Sequence, residues 1–275
     1  MNNQAIWQIA MEQSARDCNC RPEDFRADEN RVFVSAASDK AKRYLSVPHI
    51  CTLVSYGSNV VASCRADLCP EIARFLDGTP DIENCFETPG LYPLNAILEK
   101  ARARIYMMSA YFLPEAAEVF RYERTCDYSL RVLEPAAFAP LYLPEWKNAL
   151  CADRRHLDRL AVGAFDKDRL IGLAGCSADC DTMWQIGIDV LPAYRRQGVA
   201  AALTNRLARE TFARGFVPFY CAAWSNVKSV KNAVRSGFAP AWVEVSAKSA
   251  APGCGERQRG DTGSKNAVAF SPGLH

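Results

Sequence analysis

The stretch of this chain with the clearest chemical character is Arg195-Arg196-Gln197-Gly198-Val199-Ala200, which runs directly into an amphipathic segment. Val199, Leu203 and Leu207 fall four apart, Ala208 and Phe212 widen the stripe, and Gly215 closes it, so the spacing predicts a helix. The first turn of a helix carries unpaired N–H groups and a partial positive charge. Gly198 has no side chain to hold an anion away from the backbone, Ala200 is small, and Arg195 and Arg196 add full positive charge. Together these residues describe a seat for a diphosphate. A solvated arginine pair beside an ordinary turn accounts for the same six residues when they are taken alone.

The flanking elements must position that seat. Trp184, Ile186, Ile188 and Val190 alternate with Gln185, Gly187 and Asp189, a period-two strand with one apolar face that ends at Pro192. After the helix comes a strand, VPFYCAAW, and then a second helix that Ser225 or Asn226 can cap, with Val227, Val230 and Val234 as its expected apolar stripe and Gly237 as its stop. The strand AWVEVSAK follows.

Two linked motifs in this order resemble the GCN5-related N-acetyltransferase (GNAT) superfamily. The first is VLPAYRRQGVA at 190–200, similar to the family's V-x-P strand end followed by [RQ]-x-x-G-x-[GA] at a helix start. The second is the Asn226-initiated helix closing on Gly237-Phe238. The likeness covers 129–248 in order of elements and 184–240 in motif detail, and the rest of the N-terminal half looks like the extension of one branch. It implies an α/β (α+β) fold: a mixed, mostly antiparallel central sheet flanked by helices, preceded by a smaller α/β N-terminal domain. It also implies an acyltransferase that moves acetyl from acetyl-coenzyme A to an amine by direct attack, with no metal. By the same likeness, backbone groups of Ile188 and Val190 would pair with the pantetheine arm. The N–H groups from Arg196 through Gln197, Gly198 and Val199 to Ala200 would hold the pyrophosphate, and Asn226, aided by Ser229, would reach the pantetheine.

The acid–base groups are where the chain departs from the family. Many members carry a tyrosine four residues before the glycine of the Gly-Phe corner, and here that position is Ala233. Tyr220, Ser229 and Cys221 are the nearest substitutes along the sequence. For the base, Asp189 is the first candidate, a carboxylate in an apolar strand, with a brace for the following loop as its alternative role. Glu244 is the second, with a solvent-facing strand position as its alternative, and a base acting through ordered water is a third route. With the usual acid missing, an acyl-coenzyme A-binding regulatory module is the alternative function. A nucleotide or dinucleotide-binding enzyme is a second alternative, disfavoured because R-x-x-G-x-A is not G-x-G-x-x-G and no P-loop lysine pattern occurs.

The rest of the chain sets the frame. At 275 residues with 49% apolar and 23% charged content, it has room for two domains with cores of their own. A net charge of +2 gives no reason to expect a nucleic-acid or membrane partner. No run of about 18 apolar residues appears, and the N-terminus lacks the pattern of a signal peptide, so a cytoplasmic protein, monomer or homodimer, is expected. The 12 cysteines then read as reduced thiols, and with 3 histidines and no second matched cysteine pair a structural zinc site is not expected.

The N-terminal half reads as a helix over 5–16, strands and turns over 30–65 with Gly57-Ser58-Asn59 between two β-rich runs, a helix over 69–77 stopped by Gly78, and a turn at 88–90. A helix over 91–103 and the strand RIYMMSAYFL complete it. The pattern changes between 115 and 130. The expected division is an N-terminal α/β domain at 1–125 that shapes the acceptor site, an acetyltransferase domain at 126–248, and a loose tail at 249–275.

Overall fold

A computed structural model describes residues 1–79 and 81–250 of the chain. From residue 251 onward, the segment expected as a tail lies outside the described residues. The elements run α1 (Asn3–Cys18), β1 (Arg31–Val34), β2 (Cys51–Ser55), β3 (Val61–Cys64), α2 (Cys69–Asp77), α3 (Thr88–Lys100), β4 (Ala103–Pro114), α4 (Ala116–Arg121) and β5 (Ser129–Leu133). They continue with α5 (Pro135–Phe138), β6 (Asp158–Asp166), β7 (Arg169–Ser177), β8 (Met183–Val190), α6 (Val199–Ala213), β9 (Val217–Ala223), α7 (Val227–Arg235) and β10 (Phe238–Ser249). The strands are mostly antiparallel and helices flank them, the mixed α/β class expected. Two compact units result: Met1–Tyr111 with the segment from Pro240, and Phe112–Ala239. The division falls inside β4 and inside β10, whereas the sequence places its change of pattern at 115–130.

In the first unit the strands lie in the order β1-β3-β2-β10-β4. β2 and β3 pair antiparallel, β1 runs parallel to β3, and β10 pairs antiparallel with β2. The chain reverses between β2 and β3 at Gly57, whose φ of +101° suits a residue without Cβ. The turn expected at 88–90 is instead the first turn of α3. Pro89 presets a helical φ there, and Gly90 is required because a Cβ would stand 1.8 Å from the Asn84 carbonyl oxygen.

In the second unit the order is β9-β8-β7-β6-β5. β5 to β8 are antiparallel neighbours and β8 and β9 are parallel. α6 makes the crossover between the parallel pair, burying Val199, Leu203 and Leu207 as its periodicity requires. The other face of the sheet is covered by Phe138, Trp146, Ala149 and Leu150, which pack on Ala161 and Leu173. Between β5 and β6 the chain forms only α5 and short 3-10 turns, because Pro135, Pro140 and Pro144 punctuate the stretch.

One expectation is reversed. Two of the three valines expected as the apolar stripe of α7 do not face the core: Val227 is 56% and Val234 52% exposed, while Val230 is half-buried and Ala233 fully buried. Apolar periodicity marks a face of a helix but does not say which neighbour, if any, covers it. No helix among the described residues is long and apolar enough to cross a membrane.

Candidate active site

The site is set by where two parallel strands stop pairing. The β8–β9 ladder runs from Met183↔Val217 to Ile186↔Tyr220 and ends there. β8 continues to Val190, held by β7 through Ala174↔Ile188 and Gly172↔Val190. Beyond the last paired rung β8 and β9 therefore part, and Ile188, Asp189 and Val190 are only half-buried. Each strand feeds a helix, so the N-termini of α6 and α7 both begin beyond the carboxyl ends of the parting strands. Open α/β sheets take their ligands at such carboxyl ends.

Gly198 is the residue before α6, at φ +80°, and no side chain caps the helix there. The first intrahelical bond is Ala202 N–H to the Gly198 oxygen at 3.0 Å. The amides of Val199, Ala200 and Ala201 thus have no partner within the helix. Arg196 also sits in the left-handed region, φ +64°, and is exposed. Arg195 is spent differently: its Nε donates to the Val190 oxygen at 3.0 Å. Of the two strand residues expected to offer backbone groups, Val190 has its carbonyl engaged by this guanidinium. Gln197 is pinned as well, its Oε1 accepting from the Tyr128 hydroxyl at 2.6 Å and its Nε2 donating to the Ala193 oxygen at 3.1 Å.

Across the opening, Asn226 caps α7, its Oδ1 accepting from the Ser229 amide at 3.2 Å. The Tyr220 hydroxyl and Ser229 Oγ are 2.9 Å apart. Tyr220 is buried, its ring against Phe112 and Phe238. Burial raises its pKa, against the hydrogen bonds to Ser229 and Asn232, so the phenol is neutral at pH 7. Ser229 and Ala233 are four apart on α7 and share a face. The hydroxyl from β9 thus reaches the helix face on which the family's tyrosine would stand.

Asp189 is occupied on both oxygens. Oδ2 accepts from the amides of Asn148 (2.8 Å) and Ala149 (3.0 Å), and Oδ1 accepts from Asn148 Nδ2 (2.6 Å). Burial raises its pKa and these three donors lower it, with burial prevailing. The same backbone lies flat on the sheet at a cross-strand glycine pair, Gly175↔Gly187. A Cβ on Gly187 would stand 1.8 Å from the Asn148 oxygen, and one on Gly175 2.2 Å from the Ala149 oxygen. Neither Asn148 nor the glycine pair was singled out from the sequence. Asp189 and its partners are about forty positions apart, and no local pattern links them.

Glu244 lies in the first unit and is buried. It accepts from Trp242 Nε1 at 2.8 Å and lies 3.9 Å from Lys42 Nζ. Lys42 is itself buried, ion-paired to Asp17, and stands 5.7 and 5.8 Å from the ring centres of Trp242 and Tyr111. Burial would lower the Lys42 pKa, but Asp17, Tyr44 and Glu244 hold it well above its ordinary value. A carboxylate so committed balances a buried cation.

One family model and several solved structures match parts of the chain. Residues 118–238 match the Acetyltransferase (GNAT) family. Similar solved structures include a GCN5-related N-acetyltransferase-like protein from Streptococcus suis, at 15% identity and TM-score 0.42, covering 58% of this chain and 69% of that one. A GCN5-related N-acetyltransferase from Kribbella flavida is 18% identical with TM-score 0.44, covering 58% and 63%. A GNAT-family acetyltransferase from Colwellia psychrerythraea is 15% identical with TM-score 0.41, covering 56% and 61%. The chain thus spans between about six and seven tenths of these proteins' lengths. No curated protein matches it. The family match makes residues 118–238, somewhat under half of the chain, a GNAT-type acetyltransferase domain.

Proposed function

We propose that the second unit takes acetyl-coenzyme A between β8 and β9 and transfers its acetyl group to an amine by direct attack. The observation that carries this reading is the end of the β8–β9 ladder at Ile186↔Tyr220, with two helix N-termini beyond it. The pyrophosphate would rest on the first-turn amides of α6, approached closely at Gly198 and neutralised by Arg196. The pantetheine arm would run along β8 at Ile188, with Asn226 and Ser229 on the other side. It would reach the Val190 carbonyl only if Arg195 releases it.

The co-substrate supplies an activated acyl group; this chain must orient the amine, take its proton, and supply a proton to the departing sulfur. Tyr220, neutral and hydrogen-bonded to Ser229, is suited to the last task as a general acid. Asp189 is better suited to holding Asn148 and Ala149 in place than to taking a proton, because three donors already engage its two oxygens. Base action then falls to ordered water. Glu244 serves the Lys42 cluster, not the reaction.

The test is acetyl-coenzyme A added during thermal unfolding. A ligand of the folded state stabilises by about 2.7 kcal/mol at a hundredfold excess over its Kd. Gly198→Glu places a negative charge in the seat and should weaken binding by more than about tenfold, roughly 1.4 kcal/mol. Gly198→Ala controls for strain, since any side chain at φ +80° costs about 1–2 kcal/mol. No shift at millimolar acetyl-coenzyme A, or equal affinity in Gly198→Glu and Gly198→Ala, would remove the proposal. Thiol release with a panel of amines separates an enzyme from a binding module.

A further inference from the structure

A cluster of thiols in the first unit plays no part in the transfer reaction. Cys64 ends β3 and Cys69 begins α2. The intervening turn folds back through the Leu68 amide, which donates to the Arg65 oxygen at 2.9 Å, and brings the two Sγ atoms to 3.3 Å. Cys51 is the cross-strand partner of Cys64 on β2. Cys51 and Cys64 are buried, whereas Cys69 is half-exposed, its Sγ 3.6 Å from the Arg65 oxygen and 3.9 Å from those of Phe33 and Cys64.

A disulfide needs its sulfurs at about 2.05 Å. The present gap is closed by about 1.3 Å of movement at the end of a strand and the start of a helix, within reach of side-chain rotation. The exposure gradient sets the order of events. An oxidant from solvent meets Cys69 first, and the nearest thiol to that sulfur is Cys64.

We propose that Cys64 and Cys69 form an oxidation-sensitive dithiol that closes to a disulfide on exposure to a peroxide. The Cys69 thiolate attacks a peroxide oxygen, giving the sulfenic acid and, from hydrogen peroxide, one water. Cys64 sulfur then attacks the sulfenic sulfur and expels the second water as the S–S bond forms. Two thiols are oxidised by two electrons, one peroxide is reduced, and both thiol protons leave in the waters. The step is slow at neutral pH. Burial, and then the hydrogen bond with Cys64, push the Cys69 pKa up to about 11, and the Cys64 thiol is raised by its hydrogen bond to Cys51 and by burial. The reactive thiolate at Cys69 therefore grows about tenfold per pH unit between 7 and 9.

The sequence makes the bond easy to read. Trypsin cuts after Arg43, Arg65 and Arg74, placing Cys51 and Cys64 in peptide 44–65 and Cys69 in peptide 66–74. The folded full-length chain is treated with hydrogen peroxide, quenched with acid and alkylated before digestion without reductant. The expected result is a covalent pair 44–65/66–74. Fragmentation should place its bond at Cys64, and dithiothreitol should remove it. Formation should be roughly a hundredfold faster at pH 9 than at pH 7, and the pair should be absent in Cys69→Ser. An internal Cys51–Cys64 loop in peptide 44–65, or Cys69 oxidised to sulfinic acid with no cross-link, overturns the proposal. The wild-type masses alone decide between these outcomes, so the result stands even if Cys69→Ser fails to fold.

Discussion

Replacing Asp189 by Asn separates a catalytic carboxylate from a structural one. The change keeps the shape and one acceptor oxygen, which can continue to take the amides of Asn148 and Ala149 now held at 2.8 and 3.0 Å. The new NH2 would face Asn148 Nδ2, and a half-turn of the Asn148 amide restores a donor–acceptor match. The cost is charge assistance: bonds to an ionised acceptor are worth about 1.5–3 kcal/mol against about 1 for neutral ones. Against that stands burial, which raises the Asp189 pKa despite its three donors, so ionisation there opposes folding on balance. A group with a raised folded pKa contributes stability below its unfolded pKa, near 3.9, and loses it as pH rises through the folded value. The lost charge assistance and the relieved burial cost oppose each other, so Asp189→Asn should lie within about 1 kcal/mol of the wild type. The variant should also lack the wild type's fall in stability as pH rises from about 4. Asp189→Ala, by contrast, strands two backbone amides and should cost about 2–4 kcal/mol. The assay is urea unfolding at several pH values together with turnover per folded molecule. A brace predicts that Asp189→Asn keeps its rate within a few-fold. A folded Asp189→Asn enzyme slowed by about 10²–10⁴, the usual contribution of a positioned base, with its pH dependence flattened, would refute this reasoning.

Gly187→Ala should lower stability by about 3 kcal/mol or more, because its Cβ meets backbone at 1.8 Å. Gly172→Ala meets only side-chain tips of Leu203 and Val199, at 2.9 and 3.1 Å, and should cost less; thermal melts of the two rank them. Tyr220→Phe removes the hydroxyl that faces Ser229 and should lower kcat by about 10²-fold with KM little changed. An unaltered kcat would clear Tyr220 of the acid role. Lys42→Met leaves Asp17 and Glu244 buried without their cation and should destabilise by about 3–5 kcal/mol in urea unfolding.

What the sequence by itself determined is the part governed by near neighbours along the chain. A strand, a turn at Gly198 and the helix from Val199 are legible because their periodicity, capping and left-handed turn are local properties, and they carry the family's motifs. The same holds for Asn226, whose capped amide belongs to Ser229, three residues on. Tertiary structure decided everything that depends on which distant segment arrives. The valines of α7 form a stripe in the sequence, yet only packing shows that the helix buries Ala233 and leaves Val227 and Val234 exposed. Asp189 and Glu244 are both carboxylates in apolar strands. One is filled by the backbone of Asn148 and Ala149, the other by Trp242 and a lysine some two hundred positions away. A carboxylate's function depends on the donors around it and on its burial, and a linear pattern records neither, because both are set by chain segments that meet only when the sheet forms.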